Sequence, residues 1–231
     1  KSHFLDLVKN KLDIIFSNEQ EIMSLINTKN FNDVIEFAKK LTHSKDICVS
    51  TDSEEIKTIA EQTGINVPFI RPADLATDKA GSSNVIKHAV EFYKAGGVNY
   101  DAVILLQPTS PFRLIKHVKE AITIFEDDLD MVCSVSESKA NPYYNLFEES
   151  DNGMLEKCKQ GSYTRRQDCP AIYEQNGSIY VISVKSLLTK GMANFTKTKK
   201  YVMNDIYSRD IDTPDDWDYC EYLLHHNKMQ F

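Results

Sequence analysis

Ala102-Val-Ile-Leu-Leu106 is an unbroken apolar run, and it stops abruptly at Gln107-Pro-Thr-Ser-Pro-Phe-Arg113. A strand with one wet face alternates apolar and polar residues, whereas a strand apolar at every position needs cover on both faces. The run therefore asks for a sheet sandwiched between helices. The rest of the chain agrees, because from residue 46 onward short apolar runs alternate with helical stripes, as in α/β folds built from crossover units. No repeat, low-complexity tract or Pro/Gly-rich linker divides the 231 residues, so residues 1–231 are expected to form a single domain.

Several elements follow from local patterns. Asp46–Ser50 reads as a buried strand, and the next helix opens at Asp52 with Glu55 three residues on and stops near Gly64. Val67–Ile70 reads as a second short strand. Ser82 or Ser83 is expected to cap a helix that sets Val85, Ala89 and Phe92 on one face and ends at Gly96-Gly97. Ile115, Val118, Ile122 and Phe125 keep helical spacing after the central strand. Met131–Val135 and Ser178–Ser183 read as strands, Val184–Lys190 as a helix, and Thr213-Pro214 opens a terminal helix with proline at its first position. Residues 136–176 carry aromatics and charges without periodicity and read as an inserted arm. Near the start, Leu5, Val8, Leu12 and Ile15 keep helical spacing, as do Phe31, Val34, Ile35 and Ala38; Leu12–Phe16 reads equally as a strand.

Bulk properties exclude several classes. A net charge of −7 argues against a broad nucleic-acid surface. No apolar run approaches the ~20 residues of a membrane span. Asp6 and Lys9 interrupt the opening residues, so no secretory pattern is visible. The five cysteines (Cys48, Cys133, Cys158, Cys169, Cys220) are odd in number and include no C-x-x-C pair, which argues against a disulfide framework or zinc site and for the reducing cytoplasm. His88, His117 and the His225-His226 pair show no ligand spacing and are expected to be structural or exposed.

In open α/β sheets ligands bind at the carboxyl ends of strands, which is where Gln107–Arg113 falls. Its two prolines stiffen the turn, Gln107, Thr109 and Ser110 offer hydrogen bonds, and Arg113 offers a positive fork. Asp210-Ile-Asp212 is a second candidate. Before a Thr-Pro helix start it is by itself an ordinary polar turn. On a strand, residues i and i+2 share a face, so both carboxylates could converge on one Mg²⁺, a hard ion that prefers oxygen.

Leu105–Arg113 resembles the LLQPTSPLR segment of the acylneuraminate cytidylyltransferases, the family of the CMP-sialic and CMP-legionaminic acid synthetases. Further stretches resemble the family's motifs in the same order: Val49-Ser-Thr-Asp-Ser53, Arg71-Pro-Ala-Asp-Leu-Ala-Thr-Asp78, Arg166-Gln167 with Pro170, Asn176-Gly-Ser-Ile-Tyr180, and Asp210-Ile-Asp212 with Thr213. The resemblance spans roughly residues 45–225. It implies a three-layer, Rossmann-like nucleotide-diphospho-sugar transferase fold with a dimerisation arm, and hence a cytoplasmic homodimer. It also implies Mg²⁺-dependent transfer of CMP from CTP to a nine-carbon nonulosonic acid with release of pyrophosphate. By the same carry-over Arg71, Ala80, Ser82 and Asn176 bind the nucleotide, Gln107, Arg166 and Tyr180 bind the sugar acid, Asp210 and Asp212 hold the metal, and Arg113 and Asp212 are catalytic.

The N-terminus departs from that family. Where the family has a strand and then a glycine- and lysine-rich phosphate loop, this chain has Asp13-Ile-Ile-Phe-Ser-Asn-Glu-Gln-Glu-Ile-Met23, and no glycine precedes Gly64. Glycine admits close backbone approach to phosphate and acidic side chains repel it. Tyr144 replaces a family lysine and Glu174 a family arginine. Three arrangements are open. The loop lies upstream with residues 1–30 as an insertion; or the N-terminus is truncated or rearranged in a weak or inactive relative that keeps the fold as a nucleotide- or partner-binding dimer; or other cations, Lys29 among them, stand in.

Overall fold

The apolar pentapeptide is strand β3 (Ala102–Leu106), buried at every position in the interior of a six-stranded sheet. The computed structural model describes residues 12–17, 47–62, 65–77, 80–107, 109–226 and 228, the first six by their backbone. In chain order the other elements are β1 (Leu12–Ser17), β2 (Ile47–Ser50), α1 (Glu54–Gln62), α2 (Ser82–Ala95), α3 (Ile115–Ile124), β4 (Met131–Glu137), β5 (Phe147–Glu149), β6 (Leu155–Lys157), β7 (Tyr173–Ser183), α4 (Val184–Lys190), β8 (Thr198–Val202) and α5 (Pro214–His225). The sheet order is β2-β1-β3-β7-β4-β8, and β5-β6 form a separate hairpin.

Alternation along the strands sorts the core into two layers. Ala102, Ile104 and Leu106 of β3 join Ile179 and Val181 of β7 beneath Ile56 and Ala60 of α1 and Val118, Ala121 and Ile122 of α3. Val103 and Leu105 point the other way, to Ile86, Ala89 and Val90 of α2 and Val184 and Leu187 of α4. Each valine, leucine or isoleucine among them contributes roughly 1.5–3 kcal/mol on burial. The result is the expected three-layer α/β fold.

The structure settles the ambiguous start as a strand. β1 lies between β2 and β3, parallel to both, with Ile14 opposite Ile47 on one side and Ile104 on the other. A backbone in that position must give its N–H and C=O groups to two neighbours, which a helix cannot do. The helical stripes around Leu5 and Phe31, Lys29, and residues 18–23 of the Asp13–Met23 stretch lie outside the described residues.

Local expectations are corrected at four places. Val67–Ile70 is no strand but two isolated bridges to the β2 segment, Cys48 to Asn66 and Thr51 to Ile70, with Pro68 between them lacking a donor. Ser53 rather than Asp52 caps α1, accepting the Ile56 N–H at 3.3 Å. Gly81, not a serine, is the N-cap of α2. Phe92 is 42% exposed, because Val85, Ile86, Ala89, Val90 and Tyr93 already fill the buried face.

β7 runs antiparallel to β3 and β4, whereas β8 runs parallel to β4. The chain leaves the sheet at Glu137 and re-enters at Tyr173, and the excursion between them carries the β5-β6 hairpin. Its root is closed by Asn141, whose Nδ2 donates to Pro170 O at 3.0 Å, and by Ser138 N–H to Ile172 O at 2.9 Å.

Candidate active site

Because β7 is antiparallel, its opening residues face the carboxyl end of β3, pairing Leu106 with Ile179. The Gln107–Arg113 turn therefore meets Asn176-Gly177-Ser178. Arg113 joins them. Its Nη1 donates to Gln107 O at 2.9 Å, to Ser178 O at 2.7 Å and to Ser178 Oγ at 3.3 Å. The side chain is buried, and burial lowers its pKa to about 9, with the charge of Asp210 opposing. Nη1 is thus engaged inside the turn and shapes the site, while Nε is buried without a hydrogen-bond partner among the described residues. Ser110 is likewise turned inward, its Oγ 3.5 Å from Asn176 O.

Gly177 is the close approach at the centre. Its φ is +70°, and a β-carbon there would meet Gln107 Oε1 at 2.8 Å and Asp210 Oδ2 at 3.2 Å. Only glycine lets a side-chain amide and a carboxylate crowd the backbone in this way. Gln107 and Asp210, predicted to hold different ligands, are thus brought to one point.

Residues 208–212 form no strand, so the expected i, i+2 geometry does not place the two aspartates. Anchors on either side do so instead. Ile211 N–H donates to Thr109 O at 3.0 Å, and Asp212 N–H donates to Asp216 Oδ2 at 3.2 Å. Asp216 belongs to the capping box of α5, where Thr213 Oγ1 lies 2.7 Å from its carboxylate. α5 itself packs Cys220 and Leu223 on Phe112 of the β3 turn, with Ile211 against them. Burial pushes the Asp210 carboxyl above the usual range; a hydrogen bond from Thr109 opposes this and the negative charge of Asp212 adds to it. Asp210 Oδ1 is buried without a hydrogen-bond partner among the described residues, while Asp212 is exposed.

Asn176 is buried, and its side-chain amide bonds to Ser134 and Ser208 within the protein. Tyr180 sits opposite Leu105 and Cys133. Burial, then the charges of Cys133 and Asp210, push its hydroxyl up to about 12, so it is a neutral hydrogen-bonding group beside the site.

Arg166 lies at the arm root, lining a cleft of about 470 Å³ with Ser138, Asn141, Gln167 and Pro170 among others. It is exposed and makes no ion pair among the described residues. Its neighbour Arg165 is committed, with Nε and Nη2 each 2.8 Å from Asp168.

Arg71 leaves the bridge at the end of β2 and is buried against Asp52, Nη2 to Oδ1 at 3.0 Å. Its Nε has no partner among the described residues. Ala80 and Ser82 follow at the N-terminus of α2, where Ala80 N–H donates to Thr77 O at 2.8 Å and Ser82 is exposed. Of these, Arg71 stands just past the end of β2, its N–H donating to Thr51 O at 2.8 Å. Among the described residues no three His, Cys, Asp or Glu side chains converge on a metal position.

Sequence reasoning missed Ser134, Asp52, Ser178 and Asp216. Ser134 carried a signal, as a hydroxyl interrupting the apolar run Met131-Val-Cys-Ser-Val135. Asp216 carried another, three residues after the capping Thr213.

Comparison with known proteins decides the family. The family model described as Cytidylyltransferase matches residues 31–230. The chain belongs to the cytidylyltransferase family. This cytidylyltransferase is 31% identical over 215 residues to Post-translational flagellin modification protein B of Campylobacter coli, covering 88% of this chain and 90% of that protein. It is 34% identical over 186 residues to the CMP-N,N'-diacetyllegionaminic acid synthase of Legionella pneumophila, covering 80% of each. Its fold superposes with a TM-score of 0.61 on a CMP:2-keto-3-deoxy-manno-octonic acid synthetase solved with CTP, at 14% identity over 94% of this chain and the whole of the other.

Proposed function

We propose that this cytidylyltransferase transfers CMP from CTP to a sialic- or legionaminic-type nonulosonic acid and releases pyrophosphate. The observation that carries this is the meeting of Gln107 and Asp210 over Gly177, which sets a polar amide beside a carboxylate at the carboxyl edge of the sheet. The CMP-N,N'-diacetyllegionaminic acid synthase named above supports the substrate class.

The residues fit Mg²⁺. Asp210 Oδ1 is a buried oxygen awaiting a partner, and Asp212 adds a second, exposed carboxylate. Mg²⁺ typically takes one or two carboxylates and completes its shell with water and substrate phosphates. Asp210 and Asp212 would hold the ion, which neutralises phosphate charge when bound. Arg113 fixes the turn that carries Gln107, and Gln107 orients the acceptor by hydrogen bonding. Arg166, whose fork is unpaired among the described residues, holds the acceptor's carboxylate by two parallel charge-assisted bonds. Arg71, held by Asp52, sits at the nucleotide end with Ala80 and Ser82. The chemistry asked of the protein is positioning of two anions and charge compensation.

The active form is proposed to be a cytoplasmic homodimer. Met154 and Leu155 at the tip of the arm are 64% and 71% exposed, an apolar end that a second copy would cover. No described helix is long and apolar enough to cross a membrane. The test is pyrophosphate release from CTP and Mg²⁺ with sialic, legionaminic and pseudaminic acids in separate reactions. Release with one of the first two is expected; no release with any acid would overturn the assignment.

A further inference from the structure

The side chain of Asn176 has nothing left to offer a ligand. Its Oδ1 accepts from Ser134 Oγ at 2.6 Å and from Ser178 N–H at 3.2 Å. Its Nδ2 donates to Ser208 Oγ at 2.9 Å and to Met203 Sδ at 3.5 Å. A carboxamide has two donor hydrogens and two acceptor lone pairs, so its capacity is used up inside the protein.

Each of these bonds lands on a place where regular structure gives out. The β4–β7 register slips between Cys133 and Val135, and there the Ser134 hydroxyl accepts the Ile179 N–H at 2.7 Å, replacing the ladder bond that the bulge removes. On the far side, Ser208 begins the irregular segment that carries Asp210. Its hydroxyl is held from both directions, since it accepts from Asn176 and donates to Asn204 O at 3.0 Å. The Asp210 backbone is therefore bracketed. Asn176 holds residue 208, Thr109 O holds residue 211 at 3.0 Å, and Gly177, next to Asn176, receives the carboxylate.

We propose that Ser134, Asn176 and Ser208 form a positioning relay that sets the Asp210 carboxylate over Gly177 for cation binding in the transfer reaction. This rests on the CTP- and Mg²⁺-dependent reading above. None of the three touches substrate; they act through Asp210. A role confined to stability would move the melting point and leave cation affinity alone, which separates the two.

The test uses the full chain, with Mn²⁺ as a paramagnetic probe titrated in the presence of CTP and followed by EPR. Thermal melting and pyrophosphate release are measured on the same samples. Ser208→Ala removes one hydroxyl from a half-buried loop and should fold, whereas Asn176→Ala removes at once the partner of Ser134 Oγ, Ser178 N–H, Ser208 Oγ and Met203 Sδ and could fail to. Ser208→Ala is expected to weaken Mn²⁺ binding roughly ten-fold, the low end for groups that orient metal ligands. Ser208→Thr should restore it, and the KM for CTP should stay within about two-fold, since the change acts on the cation. Wild-type Mn²⁺ affinity in Ser208→Ala alongside a lowered melting point would overturn the relay, as would absence of Mn²⁺ binding by the wild type. A wild type that binds Mn²⁺ with CTP yet releases no pyrophosphate with any acid overturns the reaction assigned above, while the EPR comparison still decides the relay.

Discussion

Gly177 and Asp210 are so close that a β-carbon on residue 177 would lie 3.2 Å from Asp210 Oδ2, while meeting Gln107 Oε1 at 2.8 Å. Gly177→Ala therefore forces either the amide or the carboxylate to move. It also places an L side chain at φ +70°, which costs about 1–2 kcal/mol. Displacements near 1 Å at a reacting site can cost about 10²-fold in rate. The expected result is a loss of pyrophosphate release of that order with a modest drop in melting temperature. Activity close to wild type would remove Gly177 from the centre of the site.

Asp212→Asn should cut Mg²⁺-dependent turnover by ~10²-fold or more, because it removes charge from the proposed cation site. Asp212 is exposed and holds the α5 cap through its backbone N–H rather than its side chain, so the melting temperature should be unchanged. Steady-state kinetics with a parallel melt check both halves.

Arg166→Lys should weaken the sugar acid by about ten- to a hundred-and-fifty-fold, the range for hydrogen bonds to charged groups, and leave CTP binding little changed. Arg165→Lys is the control. Its fork is closed on Asp168 in an exposed pair, and such pairs are worth roughly 0–1 kcal/mol. Separate calorimetric titrations of the two ligands distinguish the variants. A sensitive Arg165 and an insensitive Arg166 would reverse the assignment.

Asp130 gives a pH signature. Lys190 Nζ at 2.7 Å, Ser186 Oγ at 2.6 Å and the N–H groups of Thr196 and Lys197, both at 3.0 Å, hold its carboxyl far below the usual range. A depressed folded-state pKa stabilises the protein above the unfolded value, about 3.9, and that stability is lost as pH falls toward the folded value. Asp130→Asn should thus melt lower than wild type at neutral pH, with the gap closing below about pH 4. A gap that stays constant on acidification would show that the charge is not what matters.

Much of the layering was legible because its signals are local. The apolar run at 102–106, the helical stripe at 115–125 and the Thr213-Pro214 helix start each specify their element from a few neighbouring residues. β1 was ambiguous because Leu12 and Ile15 fit either period, and only the two flanking strands decide. In the site, residue types were readable but directions were not. Arg113 and Asn176 look like ligand contacts in a motif; their burial depends on β7 running against β3, a long-range pairing that no local pattern encodes. Asp210 and Asp212 were assigned a strand, whereas the α5 cap and the Thr109 carbonyl hold them.

The reversed direction of β7 has a mechanical consequence. The arm departs from the end of β4 and returns into the beginning of β7, so both of its roots stand at the edge where Gly177 lies. Only a short stretch of strand separates Tyr173 from Asn176, and Asn141 pins departure to return through Pro170. Lengthening either root by one residue should therefore shift the seat of the Asp210 carboxylate and lower turnover.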